Sequence, residues 1–214
     1  SVSANSRALI PIDAAKKYKL SGKFKNDSAT QGMLHFGLAY FDKDKKPIAS
    51  EMVNVVVGSD TALAQECKPG DTVIKIKNGE KWKASSSATV AFNVDDSGKY
   101  ADLPNRNIAR IIKQVEKKGD VWEVTLSTPL KVGYPADTKV RQHNTGATYA
   151  YIAYIPDLKQ DAGWKEIGGM IDGQSVYGLD GKKVWNGAAY ASVIVLNLKK
   201  AKMIFDNITL EEVK

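Results

Sequence analysis

The chain holds one cysteine, two histidines and four arginines in 214 residues, and each scarcity removes a class of chemistry. Cys67 is alone, which excludes an internal disulfide and any multi-cysteine metal site. Nothing in its local pattern marks it as an activated nucleophile. His35 and His143 lie in no metal-ligand spacing, so a histidine-rich zinc site is excluded as well. Arginine occurs only at Arg7, Arg106, Arg110 and Arg141, and the net charge of +7 comes from lysines dispersed along every segment. Nucleic-acid readers gather arginine and stacking aromatics on one surface, so no nucleic-acid partner is expected. A solvated lysine-rich surface is the plain reading; the functional alternative is a preference for anionic polymers such as uronic-acid or sulfated glycans. No apolar run approaches the roughly 20 residues that span a bilayer. The longest, Ala188 to Leu196, is broken by Ser192 and suits a buried strand, so a soluble chain without a membrane partner is expected. Ser1 to Asn5 lacks the basic and apolar regions of a signal peptide; a cleaved precursor and an excised fragment would both look this way.

Helix-period patterning is also nearly missing. What is present is a succession of short alternating runs between Gly, Asp, Asn and Pro clusters, the signature of an all-β chain. Leu20, Gly22 and Phe24 alternate with Lys19, Ser21, Lys23 and Lys25, which predicts a half-buried strand. Leu34, Phe36, Leu38 and Tyr40 form the core face of a second strand, with Met33, His35, Gly37, Ala39 and Phe41 on the other side. After the turn at 43–47, Ile48 is expected to begin a return strand reaching Val57. From 61 to 147 the turns become dense and the strands short, which predicts a separate small β-barrel or sandwich with Trp82, Phe92, Trp122 and Leu126 in its core. Long strands resume at Thr148 to Ile155, Gly168 to Ile171, Ala188 to Asn197 and Met203 to Leu210. The expected arrangement is one β-sandwich from 1–60 and 148–214, with 61–147 inserted in a loop, because closure entropy grows slowly with loop length.

The segment Tyr18-Lys19-Leu20-Ser21-Gly22-Lys23-Phe24-Lys25, after Ile10-Pro11-Ile12-Asp13, resembles the Tyr-x-Leu-Ser-x-x-Phe/Tyr-Lys strand of jelly-roll carbohydrate-binding modules. Phe36 to Pro47 is similar to the strand and hairpin that follow it in that family. Gly163-Trp164-Lys165-Glu166, Ala189-Tyr190-Ala191 and Phe205-Asp206-Asn207-Ile208-Thr209-Leu210 resemble the closing strands. The likeness covers about 1–60 and 148–214. Family members carry a further strand with an aromatic–acidic pair ahead of this segment, and the middle unit is not part of the common module. The resemblance implies a jelly-roll sandwich acting as an accessory module of a secreted or cell-surface, bacterial glycan-degrading protein, with a polysaccharide or oligosaccharide ligand and other domains of a larger chain as partners. It also implies a structural calcium held by an acidic residue of the last strand, here Asp206. It places Trp164 between the sheets.

Sugar binding needs exposed rings for pyranose faces and planar polar side chains for hydroxyls. Tyr149 and Tyr151 share a strand face, opposite Ala150, Ile152 and Tyr154. With His35, Arg141 and Trp185 they are the candidate ligand-binding residues; core packing is the competing reading for the tyrosines and Trp185. Asp206 alternates with Ile204, Ile208 and Leu210 and is expected to face the core side. Catalysis is not expected. Gly173-Gln174-Ser175-Val176-Tyr177-Gly178 misses the nucleophile-elbow spacing, and Arg141-Gln142-His143 only grazes the Gln-x-His strand motif of polysaccharide lyases. A structural or adhesion module without a sugar ligand, and a jelly-roll lyase or hydrolase, are the alternative expectations.

Overall fold

The computed structural model describes residues 2–160 and 163–213. Alternation dominates the sequence, and strands dominate the structure: among the described residues the only helical element is a 3-10 turn, Ser50–Met52. The opening strands are β1 (Val2–Asn5), β2 (Ile10–Pro11), β3 (Lys17–Asn26) and β4 (Gly32–Phe41). Next come β5 (Thr61–Ala62), β6 (Val73–Ile76), β7 (Ala88–Phe92), β8 (Ile108–Arg110), β9 (Ile112–Lys118), β10 (Val121–Leu126) and β11 (Lys139–Asn144). The chain closes with β12 (Ala150–Leu158), β13 (Lys165–Asp172), β14 (Tyr190–Asn197) and β15 (Met203–Val213). These fall into two compact units, Ser1–Ile48 with Thr148–Ser175 and Leu179–Lys214, and Ala49–Ala147 with Val176–Gly178.

The first unit is a two-layer antiparallel sandwich. One sheet has the order β1-β14-β4-β12, with β2 also paired to β14; the other has the order β13-β3-β15. The inward rows of β3 and β4 meet between them, and the rings of Phe24 and Phe36 stand edge to face at 4.9 Å. Gly22 interrupts the inward row of β3 because a Cβ there would come within 2.3 Å of the Ile208 side chain. The outward row of β3 is lysine apart from Ser21, and acidic residues of the neighbouring strands flank it. Lys17 pairs with Asp172 at 2.9 Å and Lys19 approaches Glu166 at 3.7 Å.

The second unit packs the sheet β5-β11-β7-β8 and the sheet β6-β10-β9 around Leu63, Ile74, Ile76, Trp82, Val90, Phe92, Val124, Leu126 and Val140. Trp122 packs against this cluster, and Trp82 donates its indole hydrogen to the Ser59 carbonyl at 2.8 Å.

Three local differences from the alternation matter for function. The expected return strand from Ile48 to Val57 is instead a turn. Ser50 and Glu51 are buried, the Glu51 carbonyl bonds His143 Nδ1 at 2.7 Å, and Val56 N donates to Gln142 O at 2.9 Å, so 49–60 join the second unit. Strand β12 has an irregularity between Tyr151 and Ala153, and β15 has one between Asp206 and Thr209. Each extra residue inverts the faces of everything beyond it.

Candidate functional site

Strand β4 sends Met33, His35, Gly37, Ala39 and Phe41 to the outer face of its sheet, where the neighbouring strand β12 supplies tyrosines. Gly37 lies opposite Tyr151, and His35 lies opposite Tyr154. The bulge at Ile152 produces this pairing. Ile152 turns toward β13, with its Cγ1 2.9 Å from where a Cβ on Gly169 would stand. At Gly37 a Cβ would fall 2.1 Å from the Ala150 carbonyl oxygen, so the bulged strand can press in only against glycine. Tyr154, which strict alternation puts opposite Tyr151, therefore joins it on the outer face.

The result is a continuous run of rings. Tyr149 and Tyr151 are 6.0 Å apart, Tyr151 and His35 are 4.6 Å apart, and His35 and Tyr154 are 4.7 Å apart. Tyr154 is 53% exposed, while Tyr149, Tyr151 and His35 are half-buried. Neither ring nitrogen of His35 has a hydrogen-bond partner, and both are enclosed. Burial lowers the His35 pKa, so the imidazole is neutral at neutral pH. Burial, with a smaller contribution from Tyr149, raises that of Tyr151, which keeps its hydroxyl hydrogen as a donor. The surface thus offers ring faces and phenolic hydroxyls, with no carboxylate, lysine or arginine among its four rings. Such a surface has apolar ring faces and hydrogen-bonding hydroxyls to offer, and no charged side chain to pair with an ion.

Tyr149, Tyr151 and His35 are brought together as the sequence suggested, with Tyr154 added. Arg141 and Trp185 are placed elsewhere. Trp185 is 1% exposed in the interior of the first unit, 5.6 Å from the Tyr40 ring, and presents no face to a ligand. Trp164, which the resemblance puts between the sheets, is instead 48% exposed.

Arg141 belongs to the second unit and is 0% exposed. Its Nη2 donates to both carboxylate oxygens of Asp102 at 3.1 and 2.8 Å, and its Nη1 reaches Asp60 at 3.3 Å and the Asp95 carbonyl at 3.4 Å. Its Nε donates to His143 Nε2 at 3.1 Å, and the Tyr100 ring covers the guanidinium at 5.0 Å. A guanidinium so bonded has nothing left for a ligand. The same contacts fix His143 as the Nδ1–H tautomer, donating to Glu51 O and accepting from Arg141. Burial first, then the Arg141 charge, push its pKa down to about 3. Cys67 is buried, and burial raises its thiol pKa, which disfavours the thiolate.

Asp206 does not face the core. It lies across from Lys23 on the exposed side, and its Oδ1 accepts the Asn207 N–H at 2.8 Å. The irregularity after it, with Asn207 at φ 50°, returns Leu210 to the Leu20 side of β3. Calcium takes six to eight hard oxygens. One carboxylate beside a lysine does not fit that demand, and among the described residues no group of three or more His, Cys, Asp or Glu could hold a metal. Comparison of the chain with protein-family models, with curated proteins and with solved structures finds no match.

Proposed function

We propose that the chain is a non-catalytic carbohydrate-binding module with a jelly-roll sandwich, acting as an accessory part of a secreted glycan-degrading protein, and that Tyr149, Tyr151, His35 and Tyr154 are its sugar-facing surface. The observation that carries the reading is the unbroken run of these rings on the outer face of the β1-β14-β4-β12 sheet. The apolar face of a pyranose packs on such rings while tyrosine hydroxyls take its hydroxyl groups. A shallow surface of this kind binds modestly per site, and attachment to a polymer or to a tethered enzyme supplies the rest by proximity. The non-catalytic assignment is supported by the two groups best suited to react: Cys67 is buried as a thiol, and His143 is enclosed and held neutral.

Isothermal titration against oligosaccharides selected on a glycan array tests the reading. Tyr151→Ala and Tyr154→Ala are each expected to weaken binding roughly tenfold, as truncation of an interface aromatic does, with the melting temperature little changed for the exposed Tyr154. Absence of any glycan ligand for the wild type, or full affinity in both variants, overturns it.

A further inference from the structure

The second unit contains a concavity of different character. It encloses about 450 Å³ and is bordered by Val57, Lys81, Lys83, Ser87, Gln142 and Asn144 among its lining residues. That volume lies within the range of about 300 to 1,000 Å³ of small-ligand sites. Its chemistry follows from two alternations. In Lys81-Trp82-Lys83 the tryptophan is anchored inside by its bond to Ser59, so the lysines on either side stand outward. On β11, Arg141 and His143 join the buried charged network, which leaves Gln142 and Asn144 on the opposite face, lining the concavity.

Gln142 is 3% exposed and acts as a clamp. Lys83 N donates to its Oε1 at 2.7 Å, and its Nε2 donates to Lys83 O at 3.1 Å, fixing the backbone that carries the lysine. The same Nε2 lies 3.5 Å from Asn144 Oδ1, which turns the Asn144 amide nitrogen and its hydrogens away from Gln142. Ser85 and Ser87 add two hydroxyls 3.1 Å apart. Val57 is an exposed apolar wall. Neither Lys81 nor Lys83 makes an ion pair among the described residues, and the lining contains no aspartate or glutamate.

We propose that this concavity binds an oxyanion-bearing saccharide, a uronate or a sulfate ester, with Lys81 and Lys83 on the anionic group, Asn144 and Ser87 on hydroxyls, and Val57 against the ring's C–H face. Two unpaired ammonium groups without a counter-charge favour an anion, and the amide and hydroxyls between them favour a ligand that also carries hydroxyls. The proposal shares with the preceding one the view of the chain as a glycan binder, but it rests on different residues in a different unit, so the two fail separately.

The test is calorimetric titration of the full chain with a galacturonic acid hexamer, a sulfated galactan hexamer and a neutral galactan hexamer at low salt. The proteins are the wild type, the double variant Lys81→Glu/Lys83→Glu, Asn144→Ala and Tyr151→Ala. At least one anionic hexamer is expected to bind, and which one identifies the oxyanion. The double variant should lose roughly tenfold or more in affinity. Asn144→Ala should lose severalfold, and Tyr151→Ala should keep the anionic ligand. Raising NaCl to about 0.5 M should weaken binding as the screening length contracts. Both lysines are exposed, so the double variant is expected to fold, and an unchanged Trp82 environment in near-ultraviolet circular dichroism checks that it has. The proposal is overturned if neither anionic hexamer binds, if the neutral hexamer binds equally at this site, or if the folded double variant retains full affinity. Loss in Tyr151→Ala alone would assign the ligand to the tyrosine surface and remove the charged site.

Discussion

In the first unit the inward rows of β3 and β4 carry Tyr18, Leu20, Phe24, Leu34, Phe36 and Leu38, and the charged side chains stand outside, lysine against carboxylate. In the second, Arg141, His143 and Glu51 are buried beside the apolar cluster. The difference shows what burial of charge demands. An ion withdrawn from water costs several kcal/mol unless every donor and acceptor on it is met. The second unit meets that demand by drawing Asp60 from the segment before β5 and Asp95 and Asp102 from the segment between β7 and β8 around one arginine, while Glu51 holds His143 through its carbonyl and receives Arg110 on its carboxylate. Its loops are therefore held by electrostatics, whereas the first unit is held by apolar contact and leaves its outer faces free. One of those faces is neutralised by ion pairs, and the other carries the tyrosines.

The largest effect expected from this contrast is that of Arg141→Ala. Removing one partner of a buried pair leaves Asp102 withdrawn from water without its cation, which costs about 3–5 kcal/mol. Lys17→Ala, which breaks an exposed pair with Asp172, should leave stability unchanged. Urea denaturation, with hydrogen exchange read separately at 139–144 and at 17–26, compares the two. Equal losses would erase the distinction between the units.

Acid should separate the units next. His143 binds its proton at about 3 in the folded chain and near 6.5 when unfolded. Between those values the unfolded state holds more protons, so stability is fully present above about pH 6.5 and declines as pH falls toward 3. The slope contributed is at most about 1.4 kcal/mol per pH unit. Hydrogen exchange at β11 measured from pH 7 to 4.5 is expected to accelerate beyond its intrinsic pH dependence, and His143→Gln should flatten that response. A wild-type response unchanged by the substitution would show that His143 is not the titrating group.

The smallest effect concerns the outer face of the β13-β3-β15 sheet. Asp206 is exposed across from Lys23, so Asp206→Ala should shift the melting temperature very little, and EDTA and millimolar calcium should give the same curve for either protein. A calcium-dependent rise lost in Asp206→Ala would mean that this face has oxygen ligands besides Asp206, and that its charges are not balanced by lysine alone.

Much of this was legible in the chain before folding. The alternation of Leu20, Gly22 and Phe24 with lysines marked β3 and its buried side, and Lys117 to Asp120 marked the turn between β9 and β10. The kinship of Tyr149 and Tyr151 was also readable, because residues two apart on a strand share a face, and His35 stood out on the less apolar side of its own strand. Tyr154 was not. It joins them through a single extra residue, and nothing in Ala150-Tyr151-Ile152-Ala153-Tyr154 announces where a bulge falls, because pairing register is decided by the partner strand. The same device turned Asp206 outward. Trp164 and Trp185 exchanged their expected places for a related reason: local pattern gives a residue's side of a strand, not what covers that side.

The sequence by itself determined most of the long strands, the turn between β9 and β10 and the apolar rows of β3 and β4, because these follow from a two-residue period and from the conformational demands of Gly, Asn, Asp and Pro within a few residues. Only the tertiary structure decided which groups met: Arg141 with Asp60 and Asp102, Tyr154 with His35, Lys83 with Gln142. Those contacts join residues 39 to 119 positions apart or depend on a one-residue shift of register. Their energies come from burial and partner geometry, which exist only once the sheets have closed.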